Sequence, residues 1–308
     1  MLFWGTPDFA VPPLRALIGE GFDVVGVVTQ PDKPVGRSRS TLEAPPVKEI
    51  ALAESIPVLQ PAKPKGDDFI AELKALEPEI SVVVAYGHIL PTAIIDLPRL
   101  GTLNIHASLL PAFRGAAPIQ AAIREGLDET GVTIMRMVKA LDAGPIILQA
   151  KTPIPNDETY GELQLRLAEM GALALIEALA LIDIGQASET PQDDSKATYA
   201  HKVEREHTLI DWNSDAPTVS RMIRAYDPKP GVRTNAASGE VKLFGARLAP
   251  RTVDRPPGEV VSIDADGLTV ACGVGAVRIA SVHPAGKRRI TPTEWANGRG
   301  IVVGERLF

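Results

Sequence analysis

FIAELKALEPEISVVVAY, residues 69–86, changes its hydrophobic period part-way along. Through Leu76 the apolar side chains recur at i, i+3 and i+4, the spacing of an amphipathic helix, and Pro78 lies just beyond as a stop. From Ile80 to Tyr86 the chain is short, β-branched and bounded by turn signals, which reads as a strand. A helix running straight into a strand predicts an α/β unit. The same alternation appears upstream: LFW (2–4) and VVGVVTQ (24–30) read as strands, and PPLRALIGEG between them as a helix ending at Gly19 or Gly21. The first strand has almost nothing before it and is expected to be short or frayed at Met1. Together these runs predict an open, largely parallel sheet with helices.

Downstream, GVTIMRMV (131–138) and PIILQAKTPI (145–154) flank KALDAG and predict an antiparallel pair. A long helix is expected from about Asp157 to Leu181, with Asn156 or Asp157 as its cap. The polar, aperiodic stretch that follows reads as an interdomain linker, so the expected organisation is 1–187, a linker at 188–205, and 206–308. After one helical stretch, APTVSRMIRAYD, the last segment has short β-like runs separated by DG and GVG turns, which predicts a small barrel or sandwich.

A chain of 308 residues can bury two cores. A mean hydropathy of +0.06 is ordinary for a globular enzyme, and no apolar run approaches the roughly 20 residues that cross a bilayer. The opening MLFWGTPDFAVPP does not read as a signal peptide, so a cytoplasmic location is expected. A single cysteine, Cys272, excludes an intramolecular disulfide framework and a thiolate metal cage, and the five histidines lack metal-ligand spacing. The net charge of −6 argues against a general nucleic-acid coat, but it is uneven. Residues 1–187 carry 15 Lys and Arg against 23 Asp and Glu, whereas 206–308 carry 14 against 11. A modestly basic C-terminal domain could lie against phosphates.

The chemistry concentrates in GTLNIHASLLPAFRGAAPIQ, residues 101–120. Asn104, His106 and Ser108 alternate with apolar neighbours, so an extended backbone puts them on one face. Pro111 and Pro118 then turn the chain away, leaving an amide and an imidazole at the carboxyl end of a strand, where open α/β sheets place ligands. Asn104 could hold an oxyanion, His106 could donate to it or move a proton, and Asp142 in the LDAG turn could orient or charge the imidazole. Each residue alone is as well explained by structural hydrogen bonding or turn chemistry. A set without an activated Ser or Cys suits acyl transfer to an external nucleophile. A nucleotide-dependent oxidoreductase would share the architecture, but GTPDFAVP after the first strand is not a dinucleotide fingerprint. A non-catalytic RNA-binding module would leave the Asn/His/Asp set idle.

Ordered stretches across nearly the whole chain carry a resemblance: FWGTPDFA (3–10), TQPDKPVGR (29–37), VVVAYGHILP (82–91), NIHASLLPAFRGAAPIQ (104–120), ETGVTIMRMVKALDAG (129–144), TYAHKVEREHTLIDW (198–212), IRAYDPKPG (223–231) and HPAGKRRI (283–290). These resemble the folate-dependent formyltransferases. The resemblance implies a Rossmann-like open-sheet α/β domain followed by a small β-rich, OB-like barrel domain. It implies a formyl donor, 10-formyltetrahydrofolate, and catalytic roles for Asn104, His106 and Asp142. Tyr86, Gly87, His88, Ile89 and Leu90, with Val138 and Leu141, would wall the pterin. Ser108, Leu109, Leu110 and Pro111 match the family's tetrahydrofolate segment. A monomer is also implied.

Family members differ in the amine they formylate. The loop QPDKPVGRSRSTLEAPPVK (30–48), long and expected to be structureless, carries Lys33, Arg37, Arg39 and Lys48. Similar loops in members acting on methionyl initiator tRNA enter the acceptor stem, and Arg37 is the leading candidate for that contact. Ser38, Ser40 and Glu43 make this loop less basic than usual. Lys287, Arg288 and Arg289 would meet RNA from the second domain. Two substitutions stand apart from the family pattern, Trp4 for a small residue and Lys229 for an aromatic. Initiator methionyl-tRNA is therefore the expected acceptor, with an amino-sugar nucleotide as the alternative; ribotide formyltransferases normally lack a second domain.

Overall fold

The first strands are buried along their whole length, which is what parallel strands covered on both faces require. They are β1 (Leu2–Gly5), β2 (Gly26–Val28) and β6 (Ser81–Val84). Between them lie the antiparallel hairpin strands β3 (Lys33–Val35) and β4 (Thr41–Glu43), the latter exposed, and the half-buried β5 (Val58–Leu59); β7 (Thr102–His106) follows, with only Asn104 half-buried. After the short β8 (Arg114–Gly115) come β9 (Glu129–Arg136) and β10 (Ile146–Pro153). The computed structural model describes residues 1–35, 41–249 and 254–308. A seven-stranded sheet runs β10-β9-β7-β6-β1-β2-β5, with β7, β6, β1, β2 and β5 parallel. β9 is antiparallel to β7. Hydrogen bonds Arg136 N to Pro145 O and Ile154 N to Asp128 O confirm the expected antiparallel pairing of β9 with β10. β1 is not frayed: the Met1 ammonium donates to Asp23 O at 2.7 Å and Val25 N to Met1 O at 2.9 Å.

Helices α1 (Val11–Gly19), α2 (Pro46–Ala53), α3 (Asp67–Ala75) and α4 (Thr92–Ile95) lie between these strands; α5 (Pro118–Glu125) precedes β9, and α6 (Tyr160–Asp183) follows β10. α3 places Asp67 and Asp68 in its first turn and Lys74 in its last, each matched to the helix dipole. Its Leu73, Phe69 and Ile70 pack with Leu2, Trp4, Val28, Val83 and Tyr86. Trp4, the unusual residue of β1, meets Phe69 and Tyr86 edge-to-face at 6.2 and 5.2 Å, so its bulk is core packing. On the opposite side of β7, Ile105 lies under α6, where Gly171 permits close approach: a Cβ there would stand 2.9 Å from Ile105 Cγ2.

Helix α6 begins later than expected. Neither Asn156 nor Asp157 is its cap; Thr159 is, with Thr159 N donating to Glu162 Oε2 at 2.9 Å and Glu162 N to Thr159 Oγ1 at 3.4 Å. This reciprocal pair outcompetes the upstream acids for the helix end. The stretch beyond α6 carries more structure than a plain linker: Thr190 and Ile146 exchange backbone hydrogen bonds, and β11 (Tyr199–Ala200) pairs with β8.

Two units emerge, interleaved in sequence. The first comprises Met1–Gly115, Gly131–Thr152 and Gln164–Tyr199; the second, Ala116–Thr130, Pro153–Leu163 and Ala200–Phe308. In the second, α7 (Ala216–Ala225) is capped by Asp215, whose side chain accepts from Thr218 N at 2.9 Å. Strands β12 (Val232–Ala236), β13 (Gly239–Leu248), β14 (Val260–Asp264), β15 (Gly267–Ala271) and β16 (Ala276–Pro284) form an antiparallel sheet in the order β12-β13-β16-β15-β14, followed by α8 (Pro292–Asn297). The C-terminal segment joins the two sheet edges. Phe308 and Asn235 exchange backbone hydrogen bonds on the β12 side, while Val260 N donates to Glu305 O and Leu307 N to Gly258 O on the β14 side. That closure gives the β-rich unit a barrel-like wrap around Trp212, Ile223, Tyr226, Leu243, Ile279 and Trp295.

Candidate active site

Strand β7 pairs Asn104 with Val83 on one side and Met135 on the other, and His106 with Thr133. The period of two therefore puts Asn104 and His106 on the face opposite Ile105. Asn104 is half-buried, and its side-chain amide has no hydrogen-bond partner among the described residues. An unengaged amide at a sheet's carboxyl edge is free to donate to a ligand oxygen.

His106 is held from both ring nitrogens. Nε2 lies 2.9 Å from Phe113 O, and a carbonyl only accepts, so Nε2 carries a hydrogen. Nδ1 lies 3.6 Å from Asp142 Oδ2. Nδ1 is therefore the nitrogen left to gain or release a proton, on the side of the ring that faces Asp142. The same Oδ2 accepts Gly115 N–H at 2.8 Å. Asp142 itself sits at φ +48, in the left-handed region that non-glycine residues seldom occupy.

The bend after β7 is fixed by its own polar groups. Ser108 Oγ donates to Ala112 O at 2.6 Å, and Thr133 Oγ1 donates to Ser108 O at 2.6 Å while accepting from Leu110 N at 3.1 Å. Gln149 Nε2 donates to Leu110 O and to Thr133 Oγ1, each at 2.9 Å. Ser108 and Leu110 are buried, so they shape the bend and present no side chain to a ligand in this conformation; Leu109 and Pro111 are half-buried. The Ser108 proton is committed to a carbonyl, and burial pushes the Cys272 thiol up to about 12. Neither serves as a covalent nucleophile.

Among the expected pterin-wall residues, Gly87, His88, Ile89, Val138 and Leu141 are exposed, whereas Tyr86 and Leu90 are buried. Ile89 is 85% exposed and Leu141 56%, apolar surface suited to a flat heterocycle. Met137, just before Val138, packs on the cluster holding Tyr86 and Leu90. Tyr86 O accepts from Thr6 Oγ1 at 3.1 Å and Gln30 Nε2 at 2.9 Å, and burial pushes its phenol up to about 12. Tyr86 therefore anchors the exposed 87–89 segment to the core.

The basic candidates fare unevenly. The described part of loop 30–48 is not structureless: β3 and β4 form a hairpin with Lys33 opposite Glu43. Lys33 is exposed; Arg37 and Arg39 lie outside the described residues. Lys48 is engaged, its Nζ 2.8 Å from both Asp32 oxygens, and the Gln60 and Lys48 hydrogen bonds hold the Asp32 carboxyl below its usual range. In the second unit, Lys287 is exposed with no side-chain partner among the described residues, and Arg288 meets Glu294 at 2.8 Å in an exposed pair. Arg289 is committed to structure: it stacks 4.1 Å over Phe244, donates to Ser281 Oγ at 2.6 Å and lies 3.6 Å from the buried Asp227 carboxylate. Sequence reasoning assigned no role to Thr133, Gln149 and Gln192, which hold backbone carbonyls of the site, or to Arg114, which holds the Gln192 amide oxygen and Asp194.

Residues 1–179 match the formyl transferase family model, and residues 202–300 match the formyl transferase C-terminal domain. The chain belongs to the formyl transferase family. Methionyl-tRNA formyltransferase of Moorella thermoacetica is 45% identical over 307 residues, covering 100% of this chain and 98% of that protein. The Marinobacter nauticus protein of the same name is 44% identical over 309 residues, covering 100% and 99%. Solved structures share the fold at lower identity. HypX from Aquifex aeolicus in complex with tetrahydrofolic acid has a TM-score of 0.71 at 20% identity, covering 98% of this chain and 47% of that one. WlaRD, a sugar 3N-formyl transferase crystallised with dTDP and 5-N-formyl-THF, has a TM-score of 0.68 at 17% identity, covering 93% and 98%. Family membership turns the Asn104, His106 and Asp142 geometry from an unassigned polar cluster into the candidate centre for formyl transfer.

Proposed function

We propose that this chain transfers the formyl group of 10-formyltetrahydrofolate to the amino group of methionyl initiator tRNA, in support of translation initiation. The observation that carries the reading is the full-length likeness to methionyl-tRNA formyltransferases, at 45% identity over both domains. The site supplies chemistry to match. Exposed Gly87, His88, Ile89, Val138 and Leu141 are positioned to receive the folate, which supplies an activated formyl carbon when bound. The Asn104 amide donates to the oxygen that becomes negative as the amine attacks. His106 takes the amine's proton at Nδ1, so that its ring becomes positive beside that oxygen and next to Asp142, and gives the proton to the folate nitrogen as the bond from that nitrogen to the formyl carbon breaks. Transfer is direct, since neither Ser108 nor Cys272 is an available nucleophile.

For the acceptor, the hairpin β3–β4 and exposed Lys287 and Arg288 supply cationic contacts to RNA phosphates, and Arg37 and Arg39 belong to the same proposal. Residues 1–187, 188–205 and 206–308 serve as catalytic domain, linker and OB-like tRNA-binding domain. The protein acts as a cytoplasmic monomer; no helix among the described residues is long and apolar enough to cross a membrane.

The test is formylation by the purified protein with 10-formyltetrahydrofolate and charged initiator tRNA. Formyl-methionyl-tRNA is the expected product. Formylation of an amino-sugar nucleotide with none of the tRNA would overturn the acceptor and leave the donor standing.

A further inference from the structure

Gln192, in the stretch read from sequence as linker, is the most completely specified side chain near the Asp142 turn. Its Nε2 donates to Asp142 O and to Gly144 O, each at 2.8 Å. Its Oε1 accepts from Arg114 Nε at 3.1 Å and Nη2 at 2.8 Å. The amide orientation follows from its neighbours, because a guanidinium only donates and carbonyls only accept. Arg114 is 4% exposed and bound at 2.7 Å to Asp194, two residues beyond Gln192. Burial disfavours its charge, yet Asp194 and Tyr199 together outweigh that and hold the guanidinium protonated.

These bonds close a ring. Gly115 N–H binds the Asp142 carboxylate, while its neighbour Arg114 reaches the Asp142 carbonyl through Gln192. Asp142 is thus gripped at its side chain and its backbone at once. The grip matters because its φ of +48 lies in the left-handed region, which aspartate tolerates better than most side chains but still at a cost that surrounding contacts must offset. Relaxation of that φ would swing Oδ2 away from His106 Nδ1.

We propose that Gln192 is a positioning residue for the Asp142–His106 pair, acting through the backbone of the 142–144 turn. The inference rests on the reading of His106 and Asp142 as catalytic. It gives the segment after α6 a part in the chemistry: residues 192–194 lock the catalytic turn.

Gln192→Glu is the informative change. It keeps the shape and the acceptor for Arg114, but sets a carboxylate oxygen against two carbonyls. Turnover should fall roughly 10- to 100-fold, the scale of an ångström's misplacement of a catalytic group. KM for folate and for tRNA should stay within about threefold, since the Gln192 amide is spent on Arg114 and the 142–144 carbonyls. Gln192→Met, which removes the donors without adding charge, should show the same split if the glutamate variant folds poorly. The deciding readout is a double-mutant cycle: in an Asp142→Asn background, Gln192→Glu should cost less than about threefold further, because the group it positions is already disabled. Wild-type turnover in both Gln192 variants, or a loss that multiplies fully with that of Asp142→Asn, would overturn the inference alone. Full turnover by Asp142→Asn by itself would overturn the catalytic reading and the inference with it.

Discussion

His106 Nδ1 and Asp142 Oδ2 lie 3.6 Å apart, while the other ring nitrogen of His106 is tied to Phe113 O at 2.9 Å. The imidazole can therefore exchange a proton only on the side that faces the carboxylate. The separation exceeds a direct hydrogen bond, so the carboxylate acts by charge or through an intervening water. Asp142→Asn keeps an acceptor for Gly115 N–H and tolerates a positive φ, yet removes the charge. Formylation by this variant should fall by about 10²- to 10³-fold with its melting temperature little changed, as single-turnover rates and thermal melts will report.

Asn104 offers a cleaner substitution. Its side chain makes no hydrogen bond among the described residues, so Asn104→Ala should leave the fold intact. Turnover should drop roughly 10²- to 10³-fold, the usual loss for one oxyanion donor. Filter-binding affinity for charged tRNA should be unchanged. Lost tRNA binding with turnover retained would contradict the role.

Gly131 tests the frame that holds the site. A Cβ there would stand 2.0 Å from Ala150 O and 2.6 Å from Leu109 Cδ2, a clash with backbone that cannot yield cheaply. Gly131→Ala should destabilise by about 1–3 kcal/mol or more, measured by denaturant unfolding. Activity should fall with it, because Leu109 lies in the bend that Thr133 and Gln149 secure.

In the HPAGKRRI segment Lys287 is exposed, as the proposed RNA contact requires, whereas Arg289 is committed to structure. Lys287→Ala should weaken tRNA binding and reduce its salt dependence, with no stability change. Arg289→Ala should lower the melting temperature, since it removes the Phe244 stack and the charge facing buried Asp227. Equal effects of the two on binding and on melting would contradict this division.

Asp227 gives the β-rich unit a pH dependence of definite sign. Burial raises its carboxyl, against a backbone hydrogen bond from Gly245 and the charge of Arg289. The folded state thus holds this proton more tightly than the unfolded chain, so stability declines as pH rises from the ordinary carboxylate range through the raised value. Asp227→Asn keeps an acceptor for Gly245 and should flatten that decline. Melting temperatures of both proteins across the acid-to-neutral range will show it.

Much of this architecture was readable in the hydrophobic period. The parallel strands around 2–4, 24–30 and 80–86, the β9–β10 pair and the helices before and between them follow from local patterning, which burial enforces. The polar alternation in 104–108 puts Asn104 and His106 on one face, the LDAG turn offers Asp142 as their partner, and the family resemblance joins the three. What local reading could not supply was long-range pairing. Gln192 is fifty residues from Asp142, in a polar stretch whose composition resembles a linker, and only the folded chain brings its amide to the turn. Arg289 likewise reads as one cation among three until Phe244 and Asp227 arrive from elsewhere. The start of α6 was misplaced because Asn156, Asp157 and Thr159 are all good caps, and the reciprocal Glu162 contact decided among them.

The most direct measurement is a formylation time course with purified protein, 10-formyltetrahydrofolate and either charged initiator tRNA or an amino-sugar nucleotide, run beside His106→Ala. The account predicts formyl-methionyl-tRNA from the wild type, a loss of about 10²- to 10⁴-fold in the variant, and no sugar product. Unchanged formylation by His106→Ala, or a formylated sugar in place of formylated tRNA, would contradict it.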